Sequence, residues 1–220
     1  MLPKDCKAII FDMDGVLIDS ETHYKVLEGE LFDEIGVVIE LEEHRSYQGS
    51  SNPVMWSLIK EKHGLKQSLE DLVARTELKV IQFFAAFRRL EPMPGILDLL
   101  QWLQSKGIKL ALASSSSIDV ISMVLDKSGL APYFEVVVDC TEAGTGKPDP
   151  AIFLLAQKKL GLPKEVCIII EDSVNGIKAA KAAGISCIAF KGPGSEHQDQ
   201  SAADLIVNSF SEIPGFLKHS

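Results

Sequence analysis

The sequence predicts an α/β fold with a doubly wound parallel sheet as its core and a helical domain inserted after the first strand. Five runs of consecutive apolar residues are typical of strands buried on both faces, and they lie at positions 7–11, 109–113, 135–138, 167–170 and 186–190. Helical patterns separate the later runs, and this alternation indicates a parallel sheet. The long stretch between the first two runs holds helical patterns without a buried strand.

The core helices follow from apolar spacing and from the glycines that end them. Apolar residues recur at helical spacing in four segments, at 96–103, 118–125, 152–160 and 177–183. A helix commonly ends on a glycine with left-handed backbone geometry. The glycines that follow these segments are Gly107, Gly129, Gly161 and Gly184. The predicted helices therefore alternate with the predicted strands.

The inserted stretch carries three amphipathic patterns, at 27–35, 54–59 and 73–87. A crossover between parallel strands needs only about a dozen residues. We therefore interpret the stretch as a cap over the carboxyl edge of the sheet, with a plain crossover as the alternative. The predicted domains are a core of residues 1–18 and 94–220 and a helical cap of residues 19–93.

Composition and charge restrict the classes of function. The 220-residue chain has 46% hydrophobic and 24% charged residues, as globular proteins do, and its formal net charge of −9 opposes general nucleic-acid binding. The cysteines form no C-x-x-C pair and are expected to be buried thiols in a reducing cytoplasm; they are Cys6, Cys140, Cys167 and Cys187. We find no signal-peptide pattern and no apolar stretch of membrane-spanning length. We expect a cytoplasmic monomer without a membrane partner.

The strongest chemical signal is Asp12-Met13-Asp14-Gly15, directly after the first predicted strand. Ligands of an open parallel sheet bind beyond the carboxyl ends of its strands. Two carboxylates at that edge require a compensating cation, and oxygen ligands suit Mg²⁺. An aspartate can also attack phosphorus and form an aspartyl-phosphate. For this motif taken alone, a solvated turn is the alternative.

Three further groups fall on the same edge of the predicted sheet. They follow the second strand, precede a helix and follow the fourth strand, and they are Ser114 with Ser115, Lys147, and Glu171 with Asp172. Taken singly, such residues are ordinary helix caps or surface residues. Together with the aspartates they supply a nucleophile, hydroxyl donors, a cation and metal-ligand oxygens. This set of groups is suited to phosphoryl transfer, which depends largely on charge neutralisation.

In this order, the motifs resemble those of the haloacid-dehalogenase superfamily, with the matching residues Asp12, Asp14, Ser114, Lys147, Glu171 and Asp172. The resemblance spans residues 9–190. It is closest to the branch with a small helical cap, which holds β-phosphoglucomutase-like proteins and many sugar-phosphate phosphatases. It implies a Rossmann-like core, a cap domain and Mg²⁺ as the cofactor. It also implies hydrolysis of a small phosphorylated metabolite, with a sugar phosphate as the first expectation.

The resemblance implies a role for each matching residue. Asp12 attacks phosphorus, and Asp14 protonates the leaving alcohol and then deprotonates the water that breaks the aspartyl-phosphate. Ser114 and Ser115 bind the phosphoryl group, and Lys147 neutralises charge on the nucleophile and the phosphate. The implied Mg²⁺ ligands are Asp12, Asp14 through its main-chain carbonyl, Glu171 and Asp172.

Two departures from the mutases of this branch favour a phosphatase. The mutases carry a cap histidine at the position matched by Tyr24, and His23 lies one residue earlier, about 100° away on a helix. They also carry an arginine for a second phosphate where this chain has Asn52. A phosphomutase of the β-phosphoglucomutase type and a non-catalytic phospho-ligand binding module stay open, as does the choice of Tyr24 or His23 as the substrate contact. A signalling receiver domain, which also uses aspartate, Mg²⁺, a hydroxyl and a lysine, is typically much shorter.

Overall fold

The computed structural model describes residues 2–217, except for the side chains of residues 21 and 22. Residue 1 and residues 218–220, which belong to the predicted core domain, lie outside the described residues. The strands are β1 Ala8–Phe11, β2 Lys109–Ser114, β3 Val136–Asp139, β4 Cys167–Glu171, β5 Ser186–Phe190 and β6 Leu205–Val207. They form one parallel sheet in the order β3-β2-β1-β4-β5-β6. The predicted α/β fold is confirmed, and the five predicted strands agree within one residue at each end.

Strand β1 lies in the middle of the sheet, between β2 and β4. Phe11, its last residue, pairs with Leu112 on one side and with Ile170 on the other. Since all three strands run in the same direction, their carboxyl ends meet at one edge. The residues that follow these strands are therefore held close together by backbone pairing.

The helices in chain order are α1 Glu21–Ile35, α2 Leu41–Ser46, α3 Asn52–His63, α4 Leu69–Ala86, α5 Ile96–Ser105, α6 Ile118–Ser128, α7 Cys140–Ala143, α8 Ala151–Leu160, α9 Val174–Ala183 and α10 Ile213–Phe216. On one face of the sheet, Ile9 and Phe11 pack in a cluster with residues of α5 and α6. On the other face, Ala8 and Ile10 pack with residues of α8 and α9. The sheet is thus covered on both sides, as its unbroken apolar strands predict.

Helices α1 to α4 occupy the chain between β1 and β2, where the sequence predicts a helical insert. They enclose a cluster of their own around Trp56, which is fully buried and donates a 2.7 Å hydrogen bond to Thr76 Oγ1. Near its C-terminal end, α4 leaves this cluster, and Val80 and Phe84 pack instead against the core beside α6. The helical character of the insert agrees with the prediction, and its exact limits as a domain stay a prediction.

Four of the helices and strands given above, namely α2, α7, α10 and β6, were missed from the sequence, and for α2 and β6 the reason is the lack of a local apolar pattern. Helix α2 has six residues and none of them is buried, so its sequence shows no apolar stripe that would predict a helix. Strand β6 has only three residues, and it lies at the edge of the sheet with a single buried side chain, Val207. In the described part of the chain, no helix combines the length and the apolar character that a membrane span requires.

Candidate active site

A buried lysine links two of the predicted acidic groups. Lys147 is fully buried, and its Nζ donates to Asp12 Oδ1 at 2.5 Å and to Glu171 Oε1 at 2.6 Å. Asp12 follows β1, Glu171 ends β4, and Lys147 lies in the loop before α8, so the fold alone brings these residues together. A fully buried ammonium group requires such partners, since an unpaired charge in the interior is strongly unfavourable.

The Glu171 carboxylate is held on both of its oxygens. Oε1 accepts from Lys147, and Oε2 accepts from the main-chain N–H groups of Asp172 and Ser173, both at 2.8 Å, and from Ser173 Oγ at 3.0 Å. Gly176, in the first turn of α9, faces this carboxylate so closely that a Cβ atom there would overlap it. Glu171 therefore has one defined orientation, which in turn positions Lys147.

The carboxylates at this edge outnumber the cations. Oxygens of Asp12, Glu171 and Asp172 lie within 4.8 Å of one another, and all three residues are buried. Burial raises the pKa of Asp12 above its usual range, and Lys147 opposes this shift only in part. Burial alone would lower the pKa of Lys147, but the carboxylates of Asp12 and Glu171 outweigh it and raise that pKa. An all-oxygen set with an excess of negative charge fits a hard divalent cation such as Mg²⁺.

The backbone next to this acidic cluster is shaped by a glycine. Gly15 has a φ of 76°, which other residues rarely adopt, and a Cβ atom at this position would collide with the Asp172 carboxylate. The turn after β1 therefore lies directly against Asp172. The side chain of Asp14 is not part of the three-carboxylate cluster. Its proposed contribution as a metal ligand, through its main-chain carbonyl, stays a prediction.

Asp14 is held by two serines that the sequence did not single out. Ser20 Oγ donates to Asp14 Oδ1 at 2.6 Å, and Ser116 Oγ donates to Asp14 Oδ2 at 3.1 Å. Burial raises the pKa of Asp14, and the two hydroxyl groups oppose this shift without cancelling it. Ser116 Oγ also lies 3.2 Å from the Tyr24 hydroxyl group. A raised pKa favours the protonated form of a carboxyl group, which is the form that acts as a general acid.

The two predicted phosphate-binding serines differ in position. Ser114, the last residue of β2, is fully buried, and its Oγ accepts from the Ser116 N–H at 3.1 Å. Ser115 faces the pocket described below and donates to the Gly49 carbonyl of the insert at 2.8 Å. Ser115 thus joins the sheet edge to the loop between α2 and α3. Binding of phosphate by either serine stays a prediction.

A pocket lies between the sheet edge and helices α1 to α4. At the sheet edge it is bounded by Asp12, Asp14, Ser115, Ser116 and Ser117, and across from them by Tyr24, Lys25, Glu28, His44, Arg45, Gln48, Asn52 and Glu77. Tyr24 lines this pocket, whereas His23 is exposed and packs against Phe83 with ring centroids 4.6 Å apart. Geometry therefore favours Tyr24 over His23 as the residue that faces a substrate.

Acidic and basic side chains are balanced on the wall opposite the sheet edge. Lys25 and Arg45 supply positive charge, and Glu28 and Glu77 supply negative charge. His44 Nε2 lies 2.5 Å from Glu28 Oε2, and both side chains are largely buried. The wall therefore offers hydrogen-bonding groups of both kinds rather than a cluster of cations for a second phosphate.

Comparisons with known proteins agree with this geometry. The family model for haloacid dehalogenase-like hydrolases matches residues 6–184. The chain is 37% identical to a Bacillus subtilis protein provisionally named the phosphatase YhcW, over 83% of this chain and 82% of that protein. It is 35% identical to a phosphorylated carbohydrates phosphatase of Thermotoga maritima, over 83% of each chain. Among solved structures, β-phosphoglucomutase from Clostridium difficile matches with a TM-score of 0.82 and 26% identity, over 94% of this chain and 93% of that one.

Proposed function

Because the chain belongs to the haloacid dehalogenase-like hydrolase family and is a phosphatase, we propose that it hydrolyses a small phosphomonoester through an aspartyl-phosphate on Asp12. The observation that carries this proposal is the buried Lys147, held 2.5 Å from Asp12 and 2.6 Å from Glu171. A cation in that place keeps the Asp12 carboxylate oriented and lowers its repulsion of an incoming phosphate.

In the first step, a carboxylate oxygen of Asp12 forms a bond to phosphorus, and the bond from phosphorus to the leaving alcohol oxygen breaks. Asp14 in its carboxylic acid form gives its proton to that oxygen. The raised pKa of Asp14 favours the protonated form that this step needs. Ser20 and Ser116 hold the Asp14 carboxyl group in place on both oxygens.

In the second step, a water molecule attacks the phosphorus of the aspartyl-phosphate, and the bond from phosphorus to the Asp12 oxygen breaks. Asp14, now a carboxylate, takes the proton of the water. Lys147 stabilises the Asp12 carboxylate that is released. Both aspartates thereby return to their starting states, and the net reaction consumes one phosphomonoester and one water molecule.

The residues that would hold Mg²⁺ are Asp12, Glu171 and Asp172, with the main-chain carbonyl of Asp14. Three of these groups are the carboxylates within 4.8 Å of one another. When bound, the ion would supply positive charge that offsets the charge on the phosphoryl oxygens and on the carboxylates. The Glu171 carboxylate already accepts hydrogen bonds from Lys147 and from three further donors. We therefore propose that Glu171 stabilises the structure of the site in addition to serving as a Mg²⁺ ligand.

The pocket wall favours a hydroxyl-rich leaving group without a second phosphate. Glu28 and Glu77 balance Lys25 and Arg45, and ionised carboxylates accept hydrogen bonds from hydroxyl groups such as those of a sugar. The Thermotoga maritima relative is named for phosphorylated carbohydrates, which supports the same class of substrate. We therefore propose a sugar or polyol monophosphate as the substrate.

The test is release of inorganic phosphate from a panel of phosphorylated sugars, polyols and carboxylic acids, with Mg²⁺ and with a chelator. Asp12→Asn is expected to lower turnover by about a thousandfold or more, because it removes the nucleophile. Asp19→Asn is the matched control, since Asp19 is an exposed carboxylate close by in the chain and is expected to retain activity. Mg²⁺-dependent turnover that persists in Asp12→Asn would contradict the covalent mechanism.

A phosphomutase is the second candidate, and the similarity to the Clostridium difficile β-phosphoglucomutase structure favours it. Tyr24 and Asn52, both of which line the pocket, oppose it, since the mutases carry histidine and arginine at the matched positions. Phosphorus NMR of sugar phosphates distinguishes the two activities. A shifted phosphate with little free phosphate would support the mutase and contradict the phosphatase.

A further inference from the structure

The side chain of Gln48 connects the helical insert to the acidic cluster. Gln48 lies in the loop between α2 and α3, and its side chain is buried. Its Nε2 donates to Asp172 Oδ2 at 3.2 Å and to the Gly194 carbonyl at 3.5 Å. An oxygen of the Asp172 carboxylate is thus contacted by a residue that belongs to the predicted cap.

Gln198 holds Gln48 in this position. Gln198 lies in the polar loop after β5, in which the sequence shows no functional motif. Its Oε1 accepts from the Val174 N–H at 2.7 Å, at the start of α9, and its Nε2 donates to Gln48 Oε1 at 3.0 Å. The two amides therefore form a chain from the backbone of α9 to Asp172.

The donor and acceptor direction of these three hydrogen bonds is fixed by the groups at both ends of the series. The main-chain N–H of Val174 can only donate, so Oε1 of Gln198 must face it and Nε2 must face Gln48. Oε1 of Gln48 then accepts, which turns its NH₂ group toward Asp172. A carboxylate can only accept, so the last bond has the correct sense as well. Reversing either amide would place two donors or two acceptors together.

Further hydrogen bonds fix each of the two loops that carry Gln198 and Gln48. Gln200 Nε2 donates to the main-chain carbonyl of Asp172 at 2.6 Å and to that of Phe190 at 2.9 Å. Asn175 Nδ2 donates to the carbonyls of Ser46 and Gln48, both at 2.9 Å. The loop between α2 and α3 is thereby seated on the N-terminal end of α9.

We propose that Gln198 is a positioning residue that acts through Gln48 on the Asp172 carboxylate, and so links the seating of the helical insert to the affinity for a divalent cation. The inference rests on the proposed function, because it takes Asp172 as a cation ligand. Ligand carboxylates depend on such hydrogen bonds, and removing one typically lowers metal affinity by about 10–100-fold. The linkage is reciprocal, so cation binding also stabilises the seated loop.

The test is titration of the substrate-free protein with Mg²⁺ by calorimetry. Gln198→Met and Gln48→Met keep the side-chain length and remove the amide without adding charge. Each is expected to raise the Mg²⁺ dissociation constant about tenfold. Gln104→Met is the matched control, since Gln104 is exposed on α5 and should leave the constant unchanged. Circular dichroism without metal confirms that each variant is folded, and Gln198→Asn provides a second, milder variant of the same position.

The double variant separates a relay from two independent effects. If Gln198 acts through Gln48, then Gln198→Met should have little further effect in the Gln48→Met background. Additive losses would overturn the relay, as would unchanged Mg²⁺ affinity in both single variants. A wild-type protein that binds no Mg²⁺ would overturn the inference together with its premise. A different result would overturn the inference alone. In that case the wild-type protein binds Mg²⁺ and Asp12→Asn loses turnover as expected, but the Mg²⁺ dissociation constants of the glutamine variants are unchanged.

Discussion

Glu43, on helix α2, is expected to be a main source of stability for the helical insert. Its Oε1 accepts from the Tyr47 hydroxyl and from His63 Nε2, both at 2.8 Å, and its Oε2 accepts from Lys62 Nζ at 2.7 Å. The side chain is only 9% exposed. Burial alone would raise the pKa of Glu43, but hydrogen bonds from these donors outweigh it and lower the pKa to about 2. Glu43→Gln removes the charge that all three donors share.

The expected loss can be worked from these bonds. A hydrogen bond to a charged group contributes about 1.5–3 kcal/mol to stability. Because the glutamine side chain keeps one acceptor oxygen, we expect Glu43→Gln to lower the free energy of unfolding by about 2–3 kcal/mol. For a chain of this size that loss corresponds to a fall in Tm of about 4–12 °C. Glu42→Gln is the matched control. Glu42 is 84% exposed and pairs only with Arg45 among the ion pairs described, so the loss there should stay below about 1 kcal/mol.

The assay is urea denaturation followed by the fluorescence of Trp56, which is buried inside the insert. A Trp102→Phe background removes the signal of the other tryptophan. Because the folded-state pKa of Glu43 is depressed, its stabilisation is complete above the unfolded pKa. It is lost as pH falls from about 4.5 toward about 2. The difference between the parent protein and Glu43→Gln should therefore shrink across that window.

Two results would refute this reasoning. One is an equal loss of stability in Glu43→Gln and Glu42→Gln, which would show that burial and shared donors add nothing. The other is a difference between the parent and Glu43→Gln that stays constant as pH falls below about 4.5. Either would mean that the Glu43 charge is not selectively stabilised in the folded state.

Three further predictions test the sheet edge and its contact with the insert. Lys147→Met should abolish phosphatase activity and lower the Tm by about 6–20 °C, because loss of one partner of a buried ion pair costs about 3–5 kcal/mol; calorimetry showing an unchanged Tm would contradict this. Gly15→Ala should weaken Mg²⁺ binding, measured by calorimetry, because the added Cβ atom would collide with the Asp172 carboxylate. Gly36→Ala is the matched control. Gly36 also has a φ of 76°, but a Cβ atom there would meet no other atom, so this variant should only destabilise the fold. Lys127→Met should speed hydrogen exchange at the C-terminal end of α4, because Lys127 Nζ donates to three main-chain carbonyls at 2.6–2.9 Å there; unchanged exchange rates would show that these bonds add no local stability.

The sequence predicted correctly those features that depend on a pattern within a short segment. Consecutive apolar residues mark the buried strands, so five of the six strands agree with the structure within one residue at each end. The acidic motifs sit directly after such strands, and parallel pairing then brings Asp12, Glu171 and Asp172 within reach of one another. The family and the phosphatase class are confirmed by the relatives of the chain. The domain limits, the roles of the site residues and the monomeric state stay predictions.

Four residues that make contacts at the site were not found from the sequence, because their own segments carry no motif. Ser20 resembles a helix cap and Ser116 is one of a run of serines, yet both hold Asp14. Gln48 and Gln198 lie in polar loops without a motif, and they meet only because two loops fold onto the end of α9. Nothing in their local sequence distinguishes them from solvated side chains.

The sequence by itself determined the parallel sheet, the helical insert and the acidic residues at the strand ends, because apolar periodicity and strand-end motifs are properties of short segments. Only the tertiary structure decided that Tyr24 rather than His23 lines the pocket, that Asp14 is held by Ser20 and Ser116, and which groups reach Asp172. A hydrogen bond depends on the distance and direction between two groups. For groups far apart in the chain, the packing of whole elements sets that geometry, and no local pattern encodes it.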